Sequence, residues 1–253
     1  MGVKMKEAFI KLKFRKIFLI ELISLFLLVI GGALFESIST RQNIILLIVM
    51  YFVPSVWIIY GLSKYGSSVK ELFKPIKCNK ASVATTITMT FIMIYCLFLS
   101  MQLAANILSS TAIYNSKEFS IIHILSTVII APAAEELFFR GYLLNKLMTK
   151  VNIKKAIIFS SMLFAMIHFV SLIGAFIIGA CLALIYIKYR NLSLTMLVHS
   201  LYNGMILLYK FLIYTNAFTI SAKIAPFLLI LTISLLVISS IWIFKSMKHT
   251  LSA

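Results

Sequence analysis

Apolar stretches recur along this chain, separated by short polar breaks. Eight of them approach the ~20 residues a helix needs to cross a bilayer: 17–35, 44–62, 83–108, 121–145, 155–171, 173–188, 192–214 and 224–244. The fifth and sixth are divided only by a Val170-Ser171-Leu172 link. No period-two alternation marks strands or a barrel. The pattern predicts an all-α, polytopic membrane protein with eight transmembrane helices in one integral-membrane domain, 1–253. The one sizeable break, 63–82, mixes lysines with Leu72, Phe73 and Ile76, and Pro75 interrupts any long helix. It reads as a short amphipathic piece on the membrane surface, either touching lipid or substrate or serving as a connector.

Composition agrees: the chain is 62% hydrophobic and 12% charged, where soluble domains are about 25% charged. A net charge of +17 would suit a nucleic-acid partner, but its distribution argues against one. Lys4, Lys6, Lys11, Lys13, Arg15 and Lys16 precede the first stretch, and Lys64, Lys70, Lys74, Lys77 and Lys80 lie in the 63–82 break. Lys146, Lys150, Lys154 and Lys155 follow the fourth stretch, Lys188 and Arg190 the sixth, and Lys245 and Lys248 the eighth. The alternate breaks hold little beyond Arg41, Lys117 and Lys223, with Lys210 near the end of the seventh stretch. This is the positive-inside pattern, and it places both termini in the cytoplasm, with the basic residues facing anionic headgroups; the expected setting is a bacterial cell membrane. Reporter fusions after residues 76, 115, 150 and 250 are expected to read inside, outside, inside and inside. An external C-terminus would contradict the topology. Cys78, Cys96 and Cys181 have no metal-ligand spacing and read as free thiols. The basic, then apolar N-terminus lacks a small-x-small cleavage site and reads as a retained first span.

The chemistry is concentrated in a few polar residues. Of seven acidic residues, all Glu, two stand side by side as Glu135 and Glu136 inside an apolar span. An ionisable group at the bilayer centre costs at least ~2.5–3.5 kcal/mol and marks a functional position by default. Residues four apart share a helix face, so Glu136 can pair with Arg140 while Glu135, turned about 100° away, has no partner in its own helix. Glu136–Arg140 then reads as an orienting pair and Glu135 as the candidate general base. Phe164 and His168 are four apart, and so are His199 and Asn203. An imidazole and an amide on one face can ligate a metal or donate to an oxyanion. Counted at 1.5 Å per residue, Glu135, His168, His199 and Asn203 fall at compatible depths, where one water-filled cavity can gather them. His123 and His249 read as incidental.

These residues also carry a resemblance. EExxxR (Glu135, Glu136, Arg140), FxxxH (Phe164, His168) and HxxxN (His199, Asn203), in this order on separate apolar spans, resemble the motifs of the CPBP family, the CAAX prenyl endopeptidases and bacteriocin-processing (Abi) enzymes. The matching core runs from about 121 to 210. The resemblance implies an intramembrane endopeptidase acting on a membrane-associated peptide or protein, with Glu135, His168, His199 and Asn203 catalytic and Glu136, Arg140 and Phe164 supporting. In one chemistry, Glu135 deprotonates a water held with His168, and His199 and Asn203 stabilise the oxyanion without any cofactor. In the other, Glu135, His168 and His199 hold a divalent metal such as zinc. Asn is a poor zinc ligand and no HExxH is present, which favours the first. The rival classes are a non-catalytic immunity or scaffold protein, since the family also includes bacteriocin self-immunity members, and a proton-coupled transporter. A transporter predicts repeated halves, which the sequence lacks.

Overall fold

The computed structural model describes residues 3–13, 15, 19, 51–74, 80–107, 119–168, 172–215 and 224–251. The predicted first span, 17–35, lies almost wholly outside these residues. So do the start of the second, Arg41, Lys77, Cys78, Lys117, Lys223 and the Pro75-Ile76 part of the 63–82 break. The described residues form helices and no strand. In chain order these are α1 (Val3–Lys11), α2 (Val53–Lys64), a 3₁₀ turn (Val69–Phe73), α3 (Lys80–Ile107), α4 (Ile121–Leu147), α5 (Ile153–Met166), α6 (Leu172–Tyr189), α7 (Leu192–Tyr214) and α8 (Ala225–Leu251). Five helices among the described residues are long and apolar enough to cross a membrane: α3, α4, α6, α7 and α8.

The fifth predicted span is shorter than expected. α5 has 14 residues, about 21 Å of rise, against the ~30 Å of a bilayer core. It starts at an Asn152 cap, whose side chain accepts from the Lys155 N–H at 2.9 Å. It buries one face, Ala156, Ile157, Ser160, Ser161, Phe164 and Ala165, and packs along α6. α6 and α7 are joined by Arg190 and Asn191 alone. Arg190 takes φ 47°, a region that costs an L-residue energy. Its Nη1 bonds Asn145 Oδ1 at 3.4 Å and its guanidinium lies over the Tyr186 ring. α3 and α8 form a second close pair, tied by Ser100 Oγ donating to Thr232 Oγ1 at 2.9 Å. α3 also reaches α6, where Lys188 and Tyr189 both bond Thr86 Oγ1.

Three features at the basic end depart from the sequence reading. The N-terminal residues are not merely a charged approach to the membrane. α1 buries Met5, Ala8 and Phe9, and Leu12 just after it is buried too, with Phe9 against Tyr142 at 6.2 Å between ring centroids. Leu12 nests on Gly61, where any Cβ would collide with its Cδ2. Lys146, read as a loop cation, is buried. Its ammonium donates to the carbonyls of Phe9 and Ile10 at the end of α1, which that helix cannot satisfy itself. Leu72, read as a surface anchor, is buried in the core, within van der Waals reach of Gly141.

Candidate active site

α4 is not a regular α-helix. Ser126–Ile130 and Leu137–Leu144 are π-helical, a form that is rare and concentrated at functional sites. The first π segment has a cause in sequence. The N–H of Ala131 bonds the carbonyl of Ser126, five residues back. In that register the Thr127 carbonyl would take the N–H of residue 132, and residue 132 is proline, which has none. Asn203 of α7 supplies the missing donor, its Nδ2 bonding Thr127 O at 2.9 Å. The Asn203 amide therefore has a structural commitment that the sequence did not reveal.

Between the two π segments, Glu135 and Glu136 diverge as their spacing requires. Glu136 is fully buried and Arg140 is 1% exposed. Glu136 Oε1 accepts from Arg140 Nη1 at 2.5 Å and from His199 Nδ1 at 2.9 Å. Arg140 also donates to Gly179 O at 2.9 Å, and its guanidinium lies 4.7 Å from the centre of the Phe164 ring. Residue 179 must be small for this. A Cβ there would meet the backbone of Ser161 and the ring of Phe164 at 3.3 Å, a tight contact that leaves α5 and α6 little room between them. Phe164 is the common support of the site: its ring stacks on His168 at 4.5 Å and edges His199 at 5.8 Å.

His168 lies just past the end of α5. Its backbone N–H bonds Ala165 O at 2.9 Å, a tightened last turn that leaves Phe164 O without its usual partner. The ring Nδ1 of His168 fills that place at 2.8 Å. A carbonyl only accepts, so Nδ1 carries the proton. The same holds for His199, whose Nδ1 donates to the Glu136 carboxylate. With Nδ1 committed, each ring is left with Nε2, an acceptor when the ring is neutral, and both face one atom. His168 Nε2 and His199 Nε2 stand 3.9 and 3.8 Å from Glu135 Oε2. The other oxygen, Oε1, accepts from the Tyr51 hydroxyl at 3.2 Å. Glu135 thus draws all its described partners from outside its own helix.

A cavity of about 270 Å³ opens onto this centre, lined by Glu135, His168, Asn203, Tyr51 and Thr127 among others. His199 is buried behind Glu135 and is not among the lining residues. His123, read as incidental, does line the cavity. Tyr51 is the contributor that sequence reasoning missed: it lies 84 residues from Glu135, and no spacing rule connects them.

Two imidazole nitrogens and a carboxylate oxygen are a zinc-type donor set, but their spacing is wide. Ligands ~2.0–2.1 Å from a tetrahedral ion stand roughly 3.4 Å apart, and the separations here are 3.8 and 3.9 Å. Among the described residues, no group of three or more His, Cys or Glu is arranged to hold a metal ion. A water about 2.8 Å from each atom spans such separations readily.

Residues 117–205 match the family model of type II CAAX prenyl endopeptidase, Rce1-like. This bears out the resemblance over just over a third of the 253-residue chain. The matched segment contains Glu135, Glu136, Arg140, Phe164, His168, His199 and Asn203, and it supports a CAAX-type endopeptidase in a membrane setting. No curated protein and no solved structure matches the chain.

Proposed function

We propose that this protein is an intramembrane endopeptidase that hydrolyses a peptide bond of a membrane-associated protein or peptide, with Glu135 activating the water. The observation that carries this reading is the convergence of two imidazole Nε2 atoms on Glu135 Oε2, each ring fixed by a donor bond from its other nitrogen. With both rings neutral these are three acceptors facing one point, and a water between them supplies two hydrogens.

The water gives one proton to Glu135 and directs the other to His168 Nε2, leaving an oxygen lone pair aimed into the cavity. That oxygen bonds the scissile carbonyl carbon as the proton passes to Glu135. The C–N bond then breaks and Glu135 delivers the proton to the departing amine. Tyr51 holds the carboxylate in place, its hydroxyl donating to Oε1. The charge developing on the substrate oxygen falls to Asn203: an amide has two N–H groups, one committed to Thr127 and the other on a residue that lines the cavity. This shifts the oxyanion role away from His199, whose Nε2 faces Glu135. The bilayer surrounds the site and both termini are cytoplasmic, following the basic loops.

Asn203→Ala is expected to lower kcat by about 10²–10³-fold with KM little changed. It also strands the Thr127 carbonyl, a loss of about 1–3 kcal/mol, so unfolding is measured beside the kinetics. Elemental analysis of active, chelator-washed protein tests the choice of chemistry. The reading expects no stoichiometric metal. One zinc per chain, whose removal ends activity and whose return restores it, would replace the water mechanism with ligation by Glu135, His168 and His199.

A further inference from the structure

Asn145 does not line the cavity, yet its side chain ties together three elements that converge on the site. It is 1% exposed and stands where the π segment Leu137–Leu144 gives way to the α turn Asn145–Leu147. Bonds in a π turn reach five residues back and in an α turn four, so a carbonyl at such a junction loses its N–H partner. The Asn145 amide fills the place. Its Nδ2 stands 2.9 Å from both Arg140 O and Gly141 O, and 2.7 Å from the Tyr186 hydroxyl oxygen. Its Oδ1 accepts from Arg190 Nη1 at 3.4 Å, in the two-residue turn that leads into α7. Gly141 itself lies beside Leu192, the first residue of α7. Both π segments of α4 thus lean on an asparagine amide, the first on Asn203 and the second on Asn145.

The elements joined at Asn145 are α4, α6 and the start of α7. The same three supply the groups around Glu136: Arg140 from α4, the Gly179 carbonyl that holds Arg140 from α6, and His199 from α7. Tyr186 and Gly179 are seven residues apart, so they share a face of α6. Asn145 touches none of the reacting atoms. We propose that it is a positioning residue: it fixes how α4, α6 and α7 stand to one another, and so holds the His199 ring with Nδ1 on Glu136 and Nε2 toward Glu135. Its effect on turnover rests on the hydrolytic reading above, and its effect on the ring does not.

The test is solid-state NMR of histidine-labelled protein in proteoliposomes, the His199 signals being those lost in His199→Gln. Wild type is expected to show one form of the ring, with its proton on Nδ1. Asn145→Leu, similar in size but without the amide, is expected to replace that form by a mixture of the two tautomers. Asn145→Gln is expected to keep most of it. With a membrane-tethered peptide as substrate, Asn145→Leu is expected to lower kcat by about 10–10²-fold with KM little changed. Ser100→Ala is the control for a purely structural loss: it loosens α3 from α8 and is expected to lower the unfolding temperature while leaving the ring and kcat as they are. An unchanged His199 ring in folded Asn145→Leu, or wild-type kcat in that variant, overturns the proposal. Where Asn145→Leu does not fold, Asn145→Ser, which keeps one donor, takes its place, and an unchanged ring there overturns the proposal equally. A displaced ring supports it even if wild type cuts no peptide, in which case the hydrolytic reading fails by itself.

Discussion

Glu135→Gln is expected to leave the protein folded and to lower kcat by about 10²–10⁴-fold, the usual contribution of a positioned acid–base group. The two side chains have nearly the same shape. The glutamine carbonyl can still accept from the Tyr51 hydroxyl, which bonds Glu135 Oε1 at 3.2 Å. What is lost is the capacity to take a proton at the oxygen that faces His168 and His199. The effect should appear in turnover and not in unfolding temperature, because Glu135 takes no part in the buried Glu136–Arg140 pair. Full activity of purified Glu135→Gln would show that the proton goes elsewhere.

Glu136→Gln is expected to act on stability, with a loss of about 3–5 kcal/mol, the cost of breaking a buried ion pair by removing one partner. Arg140 is 1% exposed, and without Glu136 its charge is left with the Gly179 carbonyl and the rings of Phe164 and Phe139. Glutamine can still accept from His199 Nδ1, so the ring orientation should survive better than the fold. Replacing Arg140 by methionine in the Glu136→Gln background should recover part of the loss, because the stranded charge is then gone. Unfolding midpoints of the two single variants and the double variant measure this. A Glu136→Gln protein as stable as wild type would mean that the pair is not structural.

Much of this site was legible in the chain because helix spacing is a strong constraint. Glu136 and Arg140 had to share a face, Glu135 had to look elsewhere, and both expectations hold at atomic distances. The spacing of Phe164 and His168 was visible, but its cause was not: His168 lies beyond the helix and satisfies the Phe164 carbonyl in its last turn. His199 and Asn203 share a face and yet serve different partners, Glu136 and Thr127. Pro132 was the available signal for the second, since a proline inside an apolar span must free a carbonyl that something has to cap. The shortness of α5 was hidden because apolar composition continues past Met166 with no glycine or proline to mark the stop. Tyr51, the docking of α1 and the burial of Lys146 rest on long-range packing, which no local pattern encodes.

The most direct test of the account is hydrolysis by the protein itself. Purified wild-type chain in proteoliposomes is given a membrane-tethered peptide, and the products are identified by mass spectrometry, beside Glu135→Gln and in the presence and absence of chelator. The account predicts cleavage at one peptide bond by wild type, its loss in Glu135→Gln, and no effect of chelator. Intact peptide in every lane, or equal cleavage by the two proteins, would contradict it.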